Sequence, residues 1–99
     1  MIESKLSDDQ RILVISIKGI FDFSMLGEFR EAYSGDIDKS VKVIIDMRDT
    51  LSINSSALGM LLNMQRSLGK EDGEIEIINC NETVQKVFNI THFNKKFLV

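Results

Sequence analysis

Residues Asp49–Gln65 read DTLSINSSALGMLLNMQ. The preceding segment, VKVIID (Val41–Asp46), is rich in β-branched residues and reads as a strand. After Asp46 the chain turns, shows a brief apolar segment at Leu51 and Ile53, and enters a helical pattern near Ser55. In open α/β sheets, binding and chemistry collect at such carboxyl ends of strands, where loops meet helix N-termini. Two adjacent serines, Ser55 and Ser56, stand at this junction. Asn54, Ser55 or Ser56 each suit the N-cap, where a side-chain oxygen accepts from an otherwise unpaired helix amide and contributes ~1 kcal/mol. In helical projection Leu58, Leu61, Gln65 and Leu68 centre one face, with Leu62 beside it. Ala57, Met60 and Met64 widen the apolar arc to roughly 200°, against the ~100° a core-facing helix needs. The surplus predicts that part of the arc is exposed, with Met60 and Met64 forming an adaptable protein-binding face; the other reading is additional core contact.

Working outward, RILVISIKG (Arg11–Gly19) and VKVIID are apolar on both alternating sets, the pattern of strands buried on both faces. Two more segments, Ile2–Leu6 and EIEIIN (Glu74–Asn79), alternate more and read as half-exposed strands. Helical patterns lie between and after them: SMLGEFREAY (Ser24–Tyr33), with Leu26, Phe29 and Tyr33 on one face; SALGMLLNMQRSLG (Ser56–Gly69); and ETVQKVFNI (Glu82–Ile90), with Val84, Val87 and Phe88 together. Turn residues fall between the elements, at Asp8-Asp9, Ser34-Gly35-Asp36, Gly69 to Gly73 and Asn79 to Asn81. The order strand, strand, helix, strand, helix, strand, helix implies an α/β sandwich. Strand-helix-strand crossovers set successive strands parallel, so the sheet is mixed, with four to five strands and helices mainly on one face. The closing FLV (Phe97–Val99) is either a fifth short strand or an apolar tail over the core.

Composition narrows the function. The chain has 99 residues, 43% of them hydrophobic, enough for one core and too few for two, so a single unit over residues 1–99 is expected. With 15 acidic and 12 basic residues the net charge is -3, and no basic stripe offers a nucleic-acid surface. No apolar run approaches the roughly 20 residues of a membrane helix, and no signal pattern opens the chain, so no membrane insertion and a cytoplasmic location are expected. The single cysteine, Cys80, has no partner for an internal disulfide and no ligand spacing for zinc, and reads as a small core residue.

The segment VIIDMRDTLSINSSALGMLL resembles the signature of the STAS domain family, the anti-sigma-factor antagonists, and IKGIFD (Ile17–Asp22) matches the family's strand-end Gly followed by an acidic residue. The order of elements agrees, and the resemblance covers nearly the whole chain. It implies a STAS-like sandwich and a typical Asp-Ser-Ser-Gly-Leu-Gly helix start, whose first serine is phosphorylated by a partner kinase that doubles as an anti-sigma factor. By position that serine is Ser55, with Asp22 near it and Ser56 a structural neighbour. Asn54 stands for the family's Asp and Ala57 for its Gly. The first change removes a negative charge beside the acceptor, and the second favours the helix by roughly 1 kcal/mol.

The implied function is binding, not catalysis. Unphosphorylated, the chain docks on a kinase-type anti-sigma factor or related serine kinase through Asp22, Phe23, Ser24, Asn54, Ser56, Ala57, Met60 and Met64. Phosphorylation of Ser55 releases it, a PP2C-like, metal-dependent serine phosphatase resets it, and the nucleotide belongs to the partner, so no cofactor and no metal are expected. The alternative is a constitutive STAS-type subunit of a larger complex, such as a lipid-transport ABC complex, using the same surface without phosphorylation. Other chemistries fit less well. Asp46 ends a strand as a receiver-domain phosphoacceptor does, but no acidic pair follows RILVISIKG and no lysine is placed late in the chain for it. Asp46 and Asp49 read as loop and cap acceptors. The lone His92 lies far in sequence from Ser55, and no nucleophile elbow is present, so serine hydrolysis has no basis and His92 reads as a surface or packing residue. Phe21 and Phe23 bracket Asp22; at least one is expected in the core and either can rim the partner surface.

Overall fold

The computed structural model describes residues 1–35 and 37–99. The turn expected at Ser34-Gly35-Asp36 therefore lies partly outside the described residues, at Asp36. Elements follow in the order β1 (Ile2–Leu6), β2 (Ile12–Ile17), β3 (Gly19–Phe21), α1 (Leu26–Ala32), β4 (Lys42–Asp46), β5 (Thr50–Ile53), α2 (Ser55–Ser67), β6 (Ile75–Ile78) and α3 (Glu82–Ile90). One-turn 3-10 helices at Phe23–Met25 and Phe93–Lys95 precede α1 and follow α3. The main sheet is mixed, in the order β1-β2-β4-β6, with β1 antiparallel to β2 and the remaining pairs parallel. The C-terminal residues combine the two expected readings: Phe97 is buried in the core, and Leu98 forms a single parallel bridge beside Glu76.

The helices cover one face of this sheet. Leu13, Ile15 and Ile17 of β2, Val43 and Ile45 of β4, and Ile75 and Ile77 of β6 are buried beneath them with Phe29, Leu61, Met64, Val84 and Phe88. Val14, Ser16, Ile44 and Asp46 on the opposite face are only half-buried, which corrects the expectation that β2 and β4 are buried on both faces. No described helix crosses to that side, so the second apolar set meets solvent. Likewise β1 is almost wholly exposed, because it is the sheet's edge and only Ile2 reaches the core.

The strands β3 and β5, which hydrophobic patterning left unrecognised, form a parallel two-stranded extension that carries the chain toward α2. At the break between β2 and β3, Gly19 takes φ +90, a region that favours glycine, and its amide donates to the Asp49 carbonyl (2.9 Å). The ladder interrupted there is repaired by a side chain. The buried Thr50 hydroxyl donates to the Ile17 carbonyl (2.7 Å), which satisfies an acceptor that is costly to leave unpaired in the core. Asn81 then ties α3 to β5: its Oδ1 caps the helix by accepting from the Val84 amide (2.8 Å), while its Nδ2 donates to the carbonyls of Thr50 (3.0 Å) and Leu51 (3.2 Å).

Candidate functional site at the start of α2

β3 and β5 run in parallel with Phe21 opposite Ile53, so the next residues, Asp22 and Asn54, leave the extension side by side at the same end. Register alone therefore brings the turn Asp22–Ser24 to the first turn of α2, and the 3-10 helix starting at Phe23 packs against α2. Asp22 caps that short helix. Its Oδ1 accepts from the Ser24 hydroxyl (2.5 Å) and the Ser24 amide (2.9 Å), and these two bonds, the hydroxyl's first, hold the carboxyl below its ordinary pKa.

Asn54 is the N-cap of α2. Its Oδ1 accepts from the Ala57 amide (3.2 Å) and from the Ser56 hydroxyl (2.6 Å). An aspartate at this position would use the same acceptor, so Asn54 keeps the cap while leaving the junction one negative charge lighter. The cap separates the two serines. The half-buried Ser56 is engaged, whereas Ser55, at the first helical position, is exposed, and its hydroxyl donates to no described residue. The amides of this first turn have few partners within the helix, and together with the helix dipole they favour an anionic group there.

The methionine expectation is corrected. Met64 is fully buried, Met60 is 5% exposed, and Ala57 is fully buried, so the wide apolar arc of α2 is core contact. The helix lies over the sheet and also packs against α1 and the 3-10 helix before it, so its apolar flank has partners as well as its centre. Ala57, Met60 and Met64 therefore shape the site from beneath and offer little surface to a partner. Exposed apolar side chains lie elsewhere: Phe23 is 65% exposed, Leu51 65% and Ile20 54%. Phe21 is fully buried, so the pair bracketing Asp22 splits into one core and one surface residue. Sequence reasoning did not single out Ile20 and read Leu51 only as part of a brief apolar segment, with no signal that either is exposed.

The other candidates resolve simply. Asp46 Oδ1 accepts from the Arg48 amide and from Asn79 Nδ2 (both 3.0 Å), a loop-bracing role. No group of acidic, histidine or cysteine side chains suited to a metal ion occurs among the described residues. His92 is exposed, in a left-handed backbone conformation just beyond α3. Cys80 is partly buried against the core, and burial pushes its thiol up to about 11, so it is protonated and poorly nucleophilic near neutral pH. No helix among the described residues is long and apolar enough to cross a membrane.

This arrangement, a mixed sheet with helices on one face, is the fold of the anti-sigma factor antagonists. An anti-sigma factor antagonist from Mycobacterium paratuberculosis superposes with a TM-score of 0.74 at 20% identity, covering 98% of this chain and 83% of that one. The antagonist SpoIIAA in its unphosphorylated form gives 0.62 at 18% identity, covering 91% and 83%. Residues 4–99 match the STAS domain, and the chain belongs to that family. A STAS-domain containing protein of Pseudomonas aeruginosa (strain UCBPP-PA14) is 36% identical over 93 residues, covering 94% of this chain and 92% of that protein.

Proposed function

We propose that this STAS domain is a phosphorylation-controlled binding switch of the anti-sigma-factor antagonist type, acting in the cytoplasm without catalysis of its own. The unphosphorylated form binds a kinase-type anti-sigma factor or a related serine kinase through Asp22, Phe23, Ser24, Asn54 and Ser56, with Ala57, Met60 and Met64 supporting that surface from within. The partner, which holds the nucleotide, phosphorylates Ser55 and is released, and a PP2C-like phosphatase restores the binding form.

The observation that carries this reading is the unequal state of the two hydroxyls. Ser56 is bound to Asn54, while Ser55 is exposed and unengaged at the helix start. A phosphate on Ser55 would add about 1.5 to 2 negative charges, welcomed by the free amides of the isolated domain. The same charge at the edge of a desolvated interface costs several kcal/mol where it faces like charge or loses its solvation. One modification thus favours the free form over the bound form.

The test is a pulldown from native lysate with the wild type, Ser55→Ala and Ser55→Asp. Wild type and Ser55→Ala should retain a serine kinase that Ser55→Asp does not. Equal retention by all three would overturn the switch and leave a constitutive subunit as the reading.

A further inference from the structure

A shallow groove of about 330 Å³ lies between α1 and α2, beside the first turn of α2, with Leu26, Tyr33, Met60 and the exposed Phe23 on its apolar lining. Two features of this groove bear on what it could bind. The first is Gly59, an exposed glycine in the interior of α2, where glycine is less favourable than alanine. A Cβ built on it meets nothing within 4 Å, so no internal contact requires its smallness. The second is Arg30, which makes no ion pair with a described residue. The positions one turn away on its own side of α1 are Leu26, Gly27, Tyr33 and Ser34, and α2 opposite it carries no acidic residue at all. On a chain of net charge -3, the groove thus carries a positive charge and no acidic side chain among its described lining residues.

We propose that this groove seats an amphipathic helix of the binding partner, whose large apolar side chain packs against Phe23 and Leu26, whose backbone approaches over Gly59, and whose carboxylate, one turn along, pairs with Arg30. The inference rests on the binding role proposed above, since it names the chemistry of that partner's contact. A helix fits because a groove between two helices accepts a ridge of side chains spaced three or four residues apart. The acidic residue follows from Arg30, whose fork matches a carboxylate at two points.

The test places the photo-cross-linking residue p-benzoylphenylalanine at Asn63, which lines the groove, and at Lys86 on α3, which does not. Irradiation of the full chain in native lysate is followed by mass-spectrometric sequencing of the adduct. The expected adduct is specific to position 63 and falls on a segment with a large apolar residue and an Asp or Glu three or four residues from it. Arg30→Glu should reduce its yield at least tenfold. Gly59→Leu should do the same while leaving the thermal midpoint unchanged or raised, because a Cβ there meets nothing within 4 Å and leucine favours a helix interior over glycine. Adducts to a second copy of this chain, to a basic or non-helical segment, or at no higher yield than from position 86 would overturn the proposal. So would wild-type yield in either variant. Ser55→Asp separates this inference from the switch: adducts of the expected chemistry that survive it uphold the groove and contradict release by phosphorylation.

Discussion

Two sets of apolar side chains flank the start of α2, and they behave in opposite ways. Met60 and Met64 lie in the core, while Phe23, Ile20 and Leu51, on the turn and strands that lead toward α2, stand in solvent. The difference comes from what surrounds each backbone. A residue of α2 has the sheet beneath it and α1 alongside, so even a wide apolar arc finds partners. The β3–β5 extension is only two strands, with Phe21, Thr50 and Ile53 turned into the core and Ile20 and Leu51 left outside. Apolar surface around the site is therefore supplied by the short strands and the turn, and the helix supplies rigidity.

The largest effect that can break this contrast is on stability. Met64→Ala should destabilise the fold by about 2–5 kcal/mol, read as a lower denaturant midpoint, whereas Phe23→Ala should stay within about 0.5 kcal/mol. Partner binding should order the same residues differently, with Phe23→Ala losing at least tenfold in affinity with its fold intact. A stable Met64→Ala, or a Phe23→Ala that unfolds, would reverse the assignment of core and surface. Next in size, Thr50→Val should cost about 1–3 kcal/mol by leaving the Ile17 carbonyl unsatisfied where β2 gives way to β3. Asn54→Ala should cost about 1 kcal/mol through the lost cap, while Asn54→Asp should restore it.

The smallest effect concerns acid. The Asp22 carboxyl is held below its ordinary value of 3.8 chiefly by the Ser24 hydroxyl, so its contribution to stability is present above pH 3.8 and fades as pH falls through the folded-state value. Ser24→Ala should move the Asp22 carboxyl resonance in an NMR titration back toward 3.8, with little change in stability at neutral pH. An unmoved titration would mean that the turn is not held by this pair.

Much of the architecture was legible in the residues. The span of α3 is the one its pattern predicts, and β1, β2, β4 and β6 lie where apolar patterning placed them. The junction was legible as strand end, cap and helix start. Side-chain patterning could not show that the apolar faces of β2 and β4 are covered on one side only, since coverage depends on where three separate helices dock. For the same reason the arc of α2 suggested an exposed methionine face: amphipathic width records how much apolar surface a helix has, not how many neighbours it meets. The segments Gly19–Phe21 and Thr50–Ile53 do not bury alternate residues, so no period marked them as strands, yet their pairing brings Asp22 beside Asn54. The family resemblance separates the two serines by position; in the fold they differ by exposure and by the hydrogen bond from Ser56 to Asn54, which spacing does not encode.

That distinction is open to direct measurement. After incubation with the partner kinase and ATP, phosphate mapped by mass spectrometry should lie on Ser55 alone, should vanish in Ser55→Ala and should persist in Ser56→Ala. Phosphate on Ser56, or equal labelling of the wild type and Ser55→Ala, would contradict it.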